Sequence, residues 1–449
     1  MRWPDWLGTR RGRLAAFFLL YMTEGIPSGF TGTAIATHMR RQGLDPASIG
    51  AFIAALYLPW AIKWAYGPFV DVLSSDRWGR RRVWILGTQM LMAATLVAAM
   101  PVSFSRHLGL FTAIVLIHNL FAATQDVAID ALAVSVLRED ERGLANGLMF
   151  GGQYVGTALG GSGVLFLTPW IGFGPTFLFV AGAIVLVTLA VPLPMREPPG
   201  PPRPARGGPP LRAVLREIAG FVREAGRAFV GSRGAFVAIF LAVLPMGAYA
   251  LSLSLQSNLA VELGLDDRAV GSLNLASTAL SAAFCVLGGW LSDRYGRRRT
   301  LALFIVGTVL PTAAMALAMW RYGWILPVSP QAPNRPPVPP ELVRIFWEMT
   351  LAYAVFEGLM YGVGTAIYMD VTSPRVAATQ FTAYMAVNNF CFAYSAAWQG
   401  SALSRWGYPA TLLLDSALGL VCLLLLPFMG VLRKGVPEPG ASIPERLGP

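Results

Sequence analysis

Charge is what this sequence has least of. Asp, Glu, Lys and Arg make up only 13% of its 449 residues, about half the share in a soluble domain. Lysine is nearly missing: Lys63 and Lys434 are the two copies, and the other basic residues are arginine. The three cysteines, Cys285, Cys391 and Cys422, all lie in apolar stretches, which excludes a disulfide framework and a thiolate metal site. Histidine is equally sparse, and only His118 falls inside an apolar run. With no G-x-S-x-G and no H-E-x-x-H present, an enzyme would lack its nucleophile–base pair or its metal; we expect no catalytic residues, no metal and no cofactor. Short alternating segments are absent too, which argues against a β-barrel. What is there instead is apolar: 55% hydrophobic residues and a mean hydropathy of +0.54. The net charge of +11 does not point to nucleic acid, because the arginines sit between the apolar runs, where membrane topology explains them.

The runs predict an all-α polytopic membrane protein of twelve transmembrane helices in two pseudo-symmetric six-helix bundles. The expected spans are 14–35, 48–70, 83–101, 108–137, 142–167, 173–193, 233–258, 268–291, 299–320, 343–372, 376–402 and 409–432. The first has a basic leader and spanning length without a clear cleavage site, so we read it as a retained helix. The organisation expected is a bundle over 1–193, a linker over 194–232, a second bundle over 233–434 and a disordered tail over 435–449. The linker is rich in Pro, Gly and Arg and holds a basic amphipathic piece, Leu211 to Phe229. Most arginines fall on the side of the N-terminus, which puts both termini in the cytoplasm. The Pro-rich insertion between spans nine and ten, Pro327 to Pro340, then lies outside.

The chain repeats itself once. Gly289-Trp290-Leu291-Ser292-Asp293-Arg294-Tyr295-Gly296-Arg297-Arg298 follows span eight; Asp71, then Asp76-Arg77-Trp78-Gly79-Arg80-Arg81-Arg82, follows span two. The same signature at the same place in each half is a two-bundle transporter layout. G-x-x-x-D-R-x-G-R-R resembles the loop signature of the major facilitator superfamily. As chemistry it is a switch: acid and arginines can pair across the face when the bundles close there, and part when they open. Within the superfamily the chain resembles the peptide/acetyl-coenzyme A transporter family, which includes AmpG-type muropeptide permeases and acetyl-CoA transporters. Glu24-Gly25-Ile26-Pro27-Ser28-Gly29-Phe30, Leu58 to Asp71, Ala123 to Asp130, Gly152-Gln153-Tyr154-Val155-Gly156, Gly362-Val363-Gly364-Thr365-Ala366 and Ala378-Thr379-Gln380-Phe381 carry the likeness. The resemblance implies proton-driven import of large polar solutes across a bacterial inner membrane; muropeptides, acetyl-CoA and siderophore-like anions all remain open, and so does a receptor that binds without transporting.

The residues make their own case for a polar interior. Asn119, Ala123, Asp126 and Asp130 share one helical face in span four, and a carboxylate at membrane depth costs about 2.5 to 3.5 kcal/mol on insertion scales. Gln125 adjoins them. Glu24 lies mid-span in helix one, and Glu357 and Tyr361 share a face of helix ten. Gln380, Tyr384 and Asn388 form a stripe on helix eleven, and Gln153 lies in helix five. Polar faces on so many helices need a shared cavity, because lipid does not solvate them. Lys63 either snorkels to the surface, pairs with Asp71, Asp126 or Asp130, or meets an anionic group of the solute. The acids serve either as a solute site and proton relay or as glue between helices. The partners expected are a small solute, protons and the lipid bilayer, with no nucleic acid, and a monomer.

Overall fold

A computed structural model of the chain describes residues 6–73, 77–138, 142–198, 210–333, 335–371 and 377–429. Among these residues all regular structure is helical, as the apolar runs require. Seven helical segments among the described residues are long and apolar enough to cross a bilayer, one of them twice; α9 is a single shorter helix and the remaining crossings are composite, a pattern consistent with twelve. The expected tail falls outside the described residues.

Helix one is composite: α1 (Arg10–Gly29) runs through a π-helical turn (Phe30–Ile35) into α2 (Ala36–Arg41). Helix two starts as α3 (Pro46–Ala61), whose N-terminus Asp45 caps by accepting from the Ser48 amide at 3.0 Å. It breaks at a 3-10 turn (Lys63–Ala65) and ends as α4 (Tyr66–Val72). Pro59 and Pro68 bracket that break, and neither can donate to the helical ladder. Then come α5 (Arg82–Ala99) and α6 (Phe104–Val136). Helix five is α7 (Arg142–Ala158), a second π-helical turn (Leu159–Gly163) and α8 (Val164–Ile171), and α9 (Thr176–Ala190) completes the first half. The linker forms α10 (Pro210–Val230).

Helix seven departs from the continuous span expected over 233–258. It is two helices, α11 (Arg233–Val243) and α12 (Ser254–Glu262), with non-helical backbone between them. Pro245 and Gly247, the latter at φ +83°, interrupt the ladder. Unwound backbone inside a membrane must be satisfied by protein, and it is. The buried Asp415 carboxylate accepts from the Tyr249 and Ala250 amides at 2.8 and 2.9 Å. Gly247 N–H donates to Gly419 O, and Ala248 N–H to Thr308 Oγ1. The chain continues as α13 (Asp267–Tyr295), α14 (Arg297–Arg321), α15 (Pro340–Val371) and α16 (Ala377–Val421). Gly407, at φ +78°, turns α16 back on itself, so this element supplies spans eleven and twelve.

Small residues set how close the helices come. A Cβ on Gly25 would fall 2.0 Å from Gln153 O, and one on Gly156 2.4 Å from Met22 O. The seam between α1 and α7 therefore admits nothing larger than glycine. Between the halves, α3 lies on α16 in the same way: a Cβ on Gly50 would meet Ala396 O at 2.6 Å.

The two ends of the molecule differ. At the end opposite the arginine-rich loops, the halves are joined. Arg40 of α2 pairs with Glu262 of α12, and both side chains are almost wholly buried. Arg41 meets Asp267 at 2.7 Å. Glu262 also accepts from Tyr408 Oη at 2.8 Å and from the Val328 amide at 3.0 Å. The Pro-rich insertion is thus stitched to this junction, with Arg335 donating to the Glu262 carbonyl as well.

Candidate functional site

The break in helix two decides where Lys63 goes. Lifted out of the helical path, its ammonium donates to Asp126 Oδ2 of α6 at 3.0 Å; the side chains are 20% and 6% exposed. One turn further along α6, Asp130 Oδ1 accepts from Tyr21 Oη at 2.5 Å. Glu24, one turn beyond Tyr21 on α1, is buried with Oε1 free of any hydrogen bond, and it lies within electrostatic reach of Asp126, Asp130 and Lys63. Three carboxyl groups therefore share one ammonium. Asn119, on the same face of α6, donates to Leu56 O at 3.1 Å and holds α3 just before its break.

The second half faces this cluster with α15. Glu357 is half-buried, and Ser281 Oγ lies 3.4 Å from its Oε2. Tyr361 keeps 40% of its surface exposed although it feels the charges on Lys63, Glu357 and Asp126. It thus stands on the side of α15 nearest the Lys63 cluster. One turn before Glu357, Tyr353 Oη donates to Ala248 O at 2.7 Å and meets Ser252 Oγ at 3.1 Å. The unwound part of helix seven is thereby fixed to the cavity wall.

Other residues singled out from the sequence lie elsewhere. Gln125 points away from Asp126, since successive helical residues are 100° apart. It donates to Thr23 Oγ1 at 2.9 Å, and Thr23 also accepts from Gln89, which in turn accepts from Thr188. This is a buried polar knot inside the first bundle. Gln380 donates to Tyr384, and Tyr384 donates to Ala235 O at 2.9 Å and stacks on Tyr368; both tie α16 to α11. Asn388 is buried with Oδ1 unpaired. Gln153 is half-buried beside the glycine seam. His118 packs between Thr95 and Met92 O, at 3.1 Å from each.

The loop signatures hold the same backbone in both halves. Gly79 sits at φ +90° and Gly296 at φ +91°, a conformation that favours glycine. In the first copy, Glu197 Oε2 accepts from the Arg81 and Arg82 amides at 2.8 and 3.0 Å and so caps α5, where a carboxylate is favoured. A Cβ at Gly79 would stand 2.8 Å from that oxygen. Arg81 also reaches Val70 O, and Arg297 reaches Ala366 O, each inside its own half. Arg294 lies over Trp290. Arg77 and Arg80 lie in the turn before α5, Arg298 lies in the first turn of α14, and a Cβ at Gly289 would meet open space. Asp76 lies outside the described residues, as do the side chains of Asp71 and Asp293.

Composition could have drawn attention to Tyr21, Tyr57 and Tyr154. Tyr57 and Tyr154 both lie within electrostatic reach of Glu357, while Tyr21 stands at Asp130 on the other side of the cluster.

With this geometry in place, similarity to known proteins can be weighed. A model of the Major Facilitator Superfamily matches residues 14–330 and again 235–448. The chain belongs to this superfamily. It is therefore a multi-pass membrane transporter rather than an enzyme. Among curated proteins, the anhydromuropeptide permease of Escherichia coli (strain K12) is 25% identical over 386 residues, spanning 84% of this transporter and 71% of the relative. The putative transporter AmpG 4 of Rickettsia conorii is 26% identical over 182 residues, 40% of this transporter and 44% of the relative. Solved structures share the fold. The inward-open xylose transporter XylE from E. coli aligns with a TM-score of 0.67 at 13% identity, covering 94% of this transporter and 97% of that chain. A mutant of the nucleoside transporter NupG aligns with a TM-score of 0.64 at 15% identity, covering 93% and 99%.

Proposed function

We propose that this transporter imports a polar amphiphilic solute, such as an anhydro-muropeptide, together with protons, by alternating access between bundles 1–193 and 233–434. The observation that carries the reading is the acid cluster around Lys63. Three carboxyls against one ammonium, open on one side to Glu357 and Tyr361, form a site with room for protons beside a space for cargo. The name of the E. coli relative supports the choice of cargo. The arginine-rich loops and both termini are assigned to the cytoplasm of a bacterial inner membrane. On that assignment the external face is the one closed by Arg40 and Glu262, and the cavity opens inward. The loop signatures act as the opposing gate when the cytoplasmic face shuts.

The test is flux into proteoliposomes under an imposed inward proton gradient, with anhydro-muropeptide and acetyl-CoA as cargoes. We expect muropeptide uptake that follows the gradient and falls at least about tenfold in Asp126→Asn and in Glu357→Gln, a loss of about 1.4 kcal/mol or more. Acetyl-CoA uptake would move the substrate and keep the mechanism. Uptake that ignores the gradient, in wild type and variants alike, would remove proton coupling.

A further inference from the structure

Helix α10 has two apolar edges, one packed on the protein and the other left open along most of its length. Val214 is fully buried and Phe221 half-buried. Phe221 stacks on Trp64 of helix two, rings 5.5 Å apart and 8° from parallel. At the end of the helix, Phe229 meets Tyr384 of α16 edge-on at 5.2 Å. The helix thus touches both halves at the arginine-loop end, and Trp64 adjoins Lys63 of the acid cluster. The edge in line with Phe229 is bare before it. Leu211, Leu215 and Val222 are 61%, 56% and 51% exposed, and their spacing of four and seven puts them in one row. Beyond that row, about 80° to 140° further around the helix, run Arg212, Arg216, Arg223 and Arg227, all exposed.

An exposed apolar row flanked by an arginine stripe is the pattern of a helix lying in a membrane interface. Its charge complements anionic headgroups, which attract each nearby arginine by about 1 kcal/mol. We propose that α10 binds the anionic lipid surface through this row and stripe, and so braces Trp64 and Tyr384 across the two bundles. The inference does not depend on which solute is carried.

The test is hydrogen exchange of the full-length transporter in lipid nanodiscs, either phosphatidylcholine alone or phosphatidylcholine with phosphatidylglycerol. Amides of α10 should exchange at least about tenfold more slowly in the anionic discs, while peptides from α13 stay unchanged. Replacing all four arginines by Gln, a residue that keeps helix propensity, should abolish the lipid dependence. Leu211→Ser with Leu215→Ser, which disturbs no buried residue, should weaken protection in both discs. Equal α10 exchange in the two discs would overturn the proposal, and so would lipid dependence that survives the Gln variant. Fast exchange in both discs is the result expected if the row awaits a protein instead, and it too would overturn the proposal.

Discussion

The pair that sets the chemistry is Lys63 with Asp126. Each is more costly alone than together, because removing one partner strands a charge away from bulk water. We therefore expect Lys63→Met to lower the melting temperature in detergent more than Lys63→Met with Asp126→Asn does. The coupling energy should be in the range of about 0.5 to 3 kcal/mol; additive effects would show that the two groups do not depend on each other. Asp126 was legible from the sequence because an acid in an apolar run is conspicuous. Its partner was only one of several options, since the reach of Lys63 depends on a helix break that no periodicity reveals. The opposite happened with Gln125. It shares the motif with Asp126 and reads as a site residue, yet one step of helical rotation sends it into the Thr23–Gln89–Thr188 knot. Arg40 and Glu262 were not legible at all, being 222 positions apart in the chain with no local pattern to join them.

Among the elements, the helix pair α1 and α7 and the broken helix seven are the most informative. The glycines at 25, 152 and 156 drew attention as part of a family resemblance, and the structure gives them a mechanical meaning. They let two backbones touch. Gly156→Leu should force the seam apart and destabilise the transporter by about 1 to 3 kcal/mol, read as loss of monodisperse protein on heating, while Gly87→Ala, which meets open space, should not. Helix seven shows how an apolar run can mislead. Its length satisfies a span, although Pro245 and Gly247 interrupt the ladder within it. The break becomes visible only with Asp415 in place, some 165 residues away. Asp415→Ala should unseat the two amides it holds, costing about 1 to 3 kcal/mol for each buried group left unpaired, and Asp415→Asn should recover more than half of that because both amides donate to the one oxygen that asparagine keeps.

For the whole molecule, the asymmetry between its ends is the central fact. The junction of Arg40, Arg41, Glu262 and Asp267 joins the halves at one end, while Arg81 and Arg297 at the other end bond inside their own halves. Glu262→Gln leaves Arg40 buried without a countercharge and should loosen the junction. A cysteine at Thr33, which contacts Asn274 across the halves, should then react about tenfold faster with an impermeant maleimide than in the otherwise wild-type background, if the junction contributes about 1.4 kcal/mol to closure. An unchanged rate would show that packing between α3 and α16 closes this end unaided.

The stitched Pro-rich insertion has a thermodynamic corollary. A carrier that rests with one doorway bolted greets solute unequally from its two compartments. From the bolted side, the apparent dissociation constant is the intrinsic one divided by the small fraction of molecules standing open. Cargo on that side must supply, from its own binding, the work of unfastening Val328 and Tyr408 from Glu262. A solute that binds the closed and open states alike shifts nothing, so entry from that side would favour cargo that holds both bundles at once.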